Sequence, residues 1–155
     1  MHWPDPRPAL PSEAAALSTL ALRSKAYWGY DAAFMAACVT PLTLTPTDFD
    51  SMEIAVIDGP DGPAAFAALE IEGSTAHLDK AFVEPAAMGQ GLGRRLMAWA
   101  TARARLHGAT HMIIESDPKA APFYAAMGAR TVGTAASEAI PGRTLPLMRI
   151  DLTDG

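Results

Sequence analysis

Residues 78 to 107, LDKAFVEPAAMGQGLGRRLMAWATARARLH, constrain the fold more than any other stretch of the chain. An apolar strand ending near Val83, stopped by Pro85, leads into a turn carrying Gly89, Gly91 and Gly93; the turn leads into the helical pattern Leu92, Leu96, Trp99, Ala100, Arg103. The amides that open such a helix have no intrahelical partners and sit at the positive end of its dipole, in a turn with no Cβ atoms to hold a ligand away. The stretch therefore reads as an anion site, with Arg94 and Arg95 in the first turn placed to close over the ligand's flanks.

Spacing narrows the anion. A Walker loop needs Lys-Ser/Thr after the last glycine, where Arg94-Arg95 stands, and a dinucleotide fingerprint counted from Gly89 and Gly91 needs a glycine at 94. What remains is MGQGLG, residues 88 to 93, behind a strand ending FVEP. It resembles the pyrophosphate loop of the GNAT superfamily of N-acetyltransferases, Arg/Gln-x-x-Gly-x-Gly/Ala, with Met88 where that family has Arg or Gln. Downstream, the apolar strand HMIIES precedes DPKAAPFYAAMGARTVG, residues 117 to 133. This is similar to the family's next segment, in which Asn-x-x-Ala-x-x-Phe-Tyr-x-x-x-Gly-Phe leads into a strand. Pro122-Phe123-Tyr124 and Gly128 fall in register, whereas Lys119 replaces the asparagine and Arg130 follows Ala129 where an aromatic is common.

The rest of the chain fits one domain over residues 1–155, half of its residues hydrophobic. Pro11-Ser12-Glu13 opens a helix with Ser12 as a plausible N-cap, RSKAYWGYD at 23–31 breaks the pattern, and Asp31 caps a second helix from Ala32 to Val39. Pro41 to Asp48 reads as loop. Strands follow at Met52–Ile57, Ala64–Ile71 and Thr75–Val83, separated by turns at DGPDGP and Glu72-Gly73-Ser74. With a strand near Arg7 and two more after Ala129, the order is that of an α/β fold with a mixed sheet of about six to seven strands flanked by about four helices. It is also the order of the family it resembles.

The formal charge of -5 gives no basic face for nucleic acid and slightly favours a cationic small molecule. Cys38, the single cysteine, lies in the apolar run AAFMAACV and reads as buried rather than catalytic; it permits no internal disulfide and suits a reducing, cytoplasmic setting. No apolar run approaches the ~20 residues of a membrane span, and no second Cys or His stands at ligand spacing, so neither a membrane nor a metal is expected.

The resemblance implies acetyl-CoA as cosubstrate, held by Phe82, Val83, Met88, Gly89, Gln90, Gly91, Leu92, Gly93, Arg94, Lys119, Phe123 and Tyr124, and an amine acceptor on a small molecule or a peptide. It further implies an oxyanion held by a backbone amide near Val83, with Tyr124 as the acid that protonates the departing thiolate, Phe123 turning into the core. Strand alternation puts His77, Asp79 and Ala81 on the face of Val83, making His77 or Asp79 the candidate base, or else solvated strand-edge residues. Trp28, Tyr30 and Asp31 form either an acceptor wall, where cation-π contact would suit a protonated amine, or core packing. Arg143, in the loop between the last two strands, either pairs with an acceptor carboxylate or forms a structural salt bridge. Turnover at this site, as opposed to a regulatory acyl-CoA-binding module of the same fold, and a homodimer as its assembly complete the expectations.

Overall fold

A computed structural model describes residues 2–153 and places seven strands in one sheet. The elements in chain order are β1 (Arg7–Pro8), α1 (Ala14–Ala26), α2 (Ala32–Leu42), α3 (Asp48–Ser51), β2 (Glu53–Gly59), β3 (Gly62–Glu72), β4 (Thr75–Val83), α4 (Leu92–Leu106), β5 (His111–Glu115), α5 (Ala121–Ala126), β6 (Arg130–Ala136) and β7 (Thr144–Asp151). The sheet order β1-β2-β3-β4-β5-β7-β6 is antiparallel except at β4 and β5, whose crossover is α4, so the sheet is mixed as the residue pattern requires. Among the described residues there are five α-helices; the additional one, α3, is a single turn following the Pro41 to Asp48 stretch that reads as loop.

Two cores lie on opposite faces of the sheet. Phe66, Ala68, Val56 and Ile54 meet Leu17, Leu20 and Ala21 of α1 on one face. Ala65, Ala67, Leu69, Met112 and Ile114 meet Leu92, Leu96, Ala100 and Ala104 of α4 on the other. Strands covered on both faces are apolar almost throughout, which is why β3 reads AAFAAL without polar alternation. No helix among the described residues is long and apolar enough to cross a membrane.

Three helix ends differ from their sequence expectations. Ser12 does not cap α1: Pro11–Glu13 forms a 3-10 turn, and the Glu13 carboxylate instead accepts from the Leu10 amide at 2.8 Å and pairs with Arg7. Helix α1 does not break at Arg23 but continues through Ala26, because good helix formers fill 23 to 26 and the chain turns only at Gly29, whose φ of 85° suits glycine alone. Helix α2 starts where expected, its Phe34 amide donating to Asp31 Oδ1 at 2.8 Å, and runs past Val39 to Leu42.

The departure with most consequence is in β4. The β3–β4 register pairs Ala68 with Lys80 but Leu69 with Leu78, so Asp79 is one extra residue on β4. On the α4 side the strand therefore presents Ala76 and Leu78 before the bulge, then Ala81 and Val83 after it. His77 does not share the face of Val83, because the extra residue reverses the alternation between the two. The bulge also coincides with the end of pairing to β5, which extends only from Thr75 to His77. Beyond His77 the two strands part, opening the sheet itself.

Candidate active site

The opening between β4 and β5 is a cavity of about 780 Å³, within the range of small-molecule sites. Its lining comes from both sides of the sheet: Met88, Gly89, Gly91, Leu92, Gly93 and Arg94 from the turn before α4, and Lys25, Trp28, Cys38 and Arg143 from the α1/α2 side.

At the α4 end lies the turn expected to take an anion. Among the described residues the amide N–H groups from Gly89 to Arg94 donate to no protein acceptor; the first helical bond is from Arg95 N to Gly91 O at 3.2 Å. Gly89 and Gly91 hold φ of 80° and 83°, and a Cβ built on either meets nothing within 4 Å, so the space against the turn is open to a ligand. Gly93 has another use. A Cβ there would stand 3.0 Å from Phe123 Cζ, so its absence lets the aromatic ring lie against the first turn of α4. Phe123 is thus half-buried, packed against the α4-side core and lining the cavity as well. The two arginines part company: Arg94 lines the cavity, while Arg95 turns away, donating to Trp3 O at 3.0 Å and to Asp5 Oδ1 at 3.0 Å.

Tyr124 is 8% exposed and borders the cavity, and its hydroxyl has no hydrogen-bond partner among the described residues. Burial, seconded by the negative charge of Asp117, pushes its pKa up to about 12. It is a phenol kept protonated at the cavity's edge.

Of the other residues expected at the cofactor, Phe82 and Val83 line the cavity, whereas two do not. The Gln90 side chain accepts from Trp3 Nε1 at 3.3 Å, leaving only its backbone in the turn. Lys119 reaches over the surface to Trp28 O at 2.8 Å and sits 4.7 Å from the Tyr30 ring centre. His77 and Asp79 both border the cavity: His77 is half-exposed, 3.5 Å from Glu72 and directly across the ladder from Glu70, and Asp79 is bridged by Lys80 at 2.6 Å.

On the acceptor side Trp28 and Arg143 reach the cavity, but Tyr30 and Asp31 do not line it. Asp31 is occupied as the cap of α2. Tyr30 stacks on Phe34 with ring centres 3.9 Å apart and donates to both oxygens of Asp117 at 2.9 Å. Asp117 is the residue that sequence reasoning missed. Its carboxylate also takes Lys25 Nζ and the Lys119 amide, and Arg143 lies 4.0 Å away. Burial works to raise its pKa, but the bond from Lys25, the Lys119 amide and the nearby positive charge hold it below the ordinary value. Its partners stand 92, 87 and 26 positions away in the chain, so no local pattern announces it. Cys38 is 3% exposed with its pKa raised by burial, an unreactive thiol in the same wall. Among the described residues no group of three or more His, Cys, Asp or Glu is placed to hold a metal ion.

A family model describing an acetyltransferase (GNAT) domain matches residues 49–140, from α3 through the loop after β6. The chain belongs to the GNAT acetyltransferases. Membership makes it an acyl-CoA-dependent acetyltransferase. Solved GNAT structures share the whole architecture. A GCN5-related N-acetyltransferase from Rhodopseudomonas palustris superposes with a TM-score of 0.77 at 22% identity, over 98% of this chain and 99% of that one. The PaiA N-acetyltransferase from Thermoplasma acidophilum, in complex with coenzyme A, gives 0.76 at 14% identity, over 97% and 99%. The ribosomal-protein-S18-alanine N-acetyltransferase from Escherichia coli gives 0.70 at 15% identity, over 97% and 94%. At these identities the likeness is one of fold. A search of curated proteins returns no match.

Proposed function

We propose that the protein, as one domain over residues 1–155, transfers the acetyl group of acetyl-CoA to a primary amine of a small molecule or an exposed amino group. The observation that carries this reading is the row of unpaired amides from Gly89 to Arg94, opening into a cavity that extends through the parted strands to an unpartnered, protonated tyrosine. The cradle suits a pyrophosphate because its donors are backbone groups held by glycine turns, to which Arg94 adds a charge. Phe82, Val83, Met88 and Phe123 give the thioester arm apolar walls, and a backbone amide near Val83 is the proposed oxyanion donor.

Acetyl-CoA supplies an acyl carbon on a thiol leaving group; the protein must manage two protons. An alkylamine has a pKa of about 10.4, so only about one in a thousand molecules is neutral at pH 7. His77 is proposed to accept the amine's proton, with Glu72 beside it and Glu70 across the ladder to stabilise the imidazolium. Because the bulge turns His77 to the α1/α2 side, the amine meets it from the sheet face opposite α4. Asp79, tied to Lys80, adds negative charge for drawing in a cation. Tyr124 is proposed to protonate the thiolate as the carbon–sulfur bond breaks. Its pKa of about 12 lies above the ~8.5 of a free thiol, but a thiolate in the same dry cavity is raised by the same burial.

The test is calorimetric binding of acetyl-CoA, followed by amine-dependent release of free thiol across amines, polyamines, amino acids and peptides. Saturable binding with release that requires an amine supports the reading; absence of binding refutes it.

A further inference from the structure

Arg143 stands in the cavity wall with most of its hydrogen-bonding capacity unspent. Its guanidinium lies over the Phe34 ring at 4.9 Å and the Tyr30 ring at 5.4 Å, and Nη2 donates to Tyr30 Oη at 3.0 Å. Among the described residues Nε and Nη1 donate to no acceptor. The nearest carboxylate, Asp117, is 4.0 Å away and already engaged by Lys25, the Tyr30 hydroxyl and the Lys119 amide. Lys25 and Arg143 thus share a single carboxylate, with the Lys119 ammonium over the Tyr30 ring beside them, and leave positive charge in surplus.

This surplus lies on the α1/α2 side of the sheet, among Tyr30, Phe34 and Lys25. The amide cradle opens α4, which packs on the other face. An anion that complements Arg143 is therefore a different group from the one the cradle takes. The same cavity carries Glu70, Glu72, Asp79 and Glu138, so its acceptor arm is basic on one wall and acidic on another. Two such walls match a molecule bearing both charges.

We infer that the acceptor is a primary amine that also carries an anionic group, a carboxylate or a phosphate monoester, gripped by Arg143 while the amine reaches His77. The inference rests on the N-acetyltransferase reading above and names the substrate class of that site. Ring stacking holds the planar fork in place before the ligand arrives, so little side-chain freedom is lost on binding, and the fork matches either anion in a bidentate pair. An acceptor lacking the anion leaves the donors without a partner, which makes the discrimination steep.

The experiment compares matched acceptors with acetyl-CoA and wild-type protein: phenylalanine against phenethylamine, lysine against cadaverine, and O-phosphoethanolamine against ethanolamine. The expected result is a kcat/KM at least 10-fold higher for the anionic member of a pair, the pair concerned telling carboxylate from phosphate. Arg143→Ala should raise that member's KM by about 10- to 100-fold with little change in kcat, a loss at least 10-fold larger than the neutral partner shows, with acetyl-CoA affinity intact by calorimetry. Arg143→Lys, which keeps the charge without the fork, should recover part of the loss and guards against a misfolded alanine variant. Transfer to the neutral amines as fast as to the anionic ones, or equal damage to both members in Arg143→Ala, overturns this inference while leaving the acetyltransferase reading in place. Binding of acetyl-CoA with no transfer to any member overturns this inference, whereas absence of acetyl-CoA binding overturns the reading beneath it.

Discussion

Replacing Gly91 with valine separates the cradle's two demands, a left-handed turn and free space, because a second glycine imposes only the first. Gly91 holds φ of 83° as the N-cap of α4, and Gly108 holds the same 83° just past that helix's other end. At both a Cβ meets nothing within 4 Å, but only Gly91 lines the cavity. Each valine should therefore cost about 1–2 kcal/mol of stability from backbone strain, roughly 2–8 °C in Tm for a chain of this size. Only Gly91→Val adds a branched side chain where the pyrophosphate would meet the amides. Losing one hydrogen bond to a charged group there is worth about 1.5–3 kcal/mol, or roughly 10- to 100-fold in Kd for acetyl-CoA. Calorimetry at a temperature where circular dichroism shows all three proteins folded reads the difference. An unchanged Kd in folded Gly91→Val removes the turn from the site, and an equal loss in Gly108→Val shows that strain, not the cradle, sets the affinity.

Tyr124→Phe should lower kcat by about 10²-fold with the acetyl-CoA Kd nearly unchanged; wild-type turnover, with chemistry rate-limiting, would assign the proton to water. The same substitution has a thermodynamic signature. A phenol at about 12 when folded and about 10 when unfolded contributes stability that is complete below pH 10. It is lost as pH rises to 12, because the unfolded chain gives up the proton first. Wild-type protein should accordingly lose about 1.4 kcal/mol per pH unit across that window, and Tyr124→Phe should not, so parallel urea midpoints would refute the burial argument. Phe66→Ala, at a fully buried position in the α1-side core, should cost about 3–5 kcal/mol and about 6–20 °C in Tm. A drop of under 2 °C in a thermal melt would mean that this core is not what holds α1 to the sheet.

The parts of the fold legible in the sequence are those whose signals are local. The bounds of β4, from Thr75 to Val83, follow from a run between Gly73-Ser74 and Pro85, and α4 follows from its apolar spacing and glycine ends. The row of amides proposed as the anion cradle was legible for the same reason, since consecutive residues make it. The bulge left one trace, the two charged residues Asp79-Lys80 between Leu78 and Ala81, which interrupt the alternation at the place where it reverses. A strict period of two carried across them puts His77 on the wrong face. The Asp117 network was not legible because it is assembled by charge: Lys25, Tyr30 and Arg143 meet only around Asp117, although Tyr30 and Arg143 each stand out singly in the sequence. The contact that seats Phe123 was not legible, because it depends on the missing Cβ of Gly93, 30 residues distant in the chain.

A crystal structure of the protein with coenzyme A tests the central claim most directly. The account predicts pyrophosphate oxygens within about 2.7–3.2 Å of backbone nitrogens between Gly89 and Arg94, and the thiol between the parted strands within hydrogen-bond reach of Tyr124 Oη. A pyrophosphate bound away from those amides, or a thiol directed away from Tyr124, would contradict it.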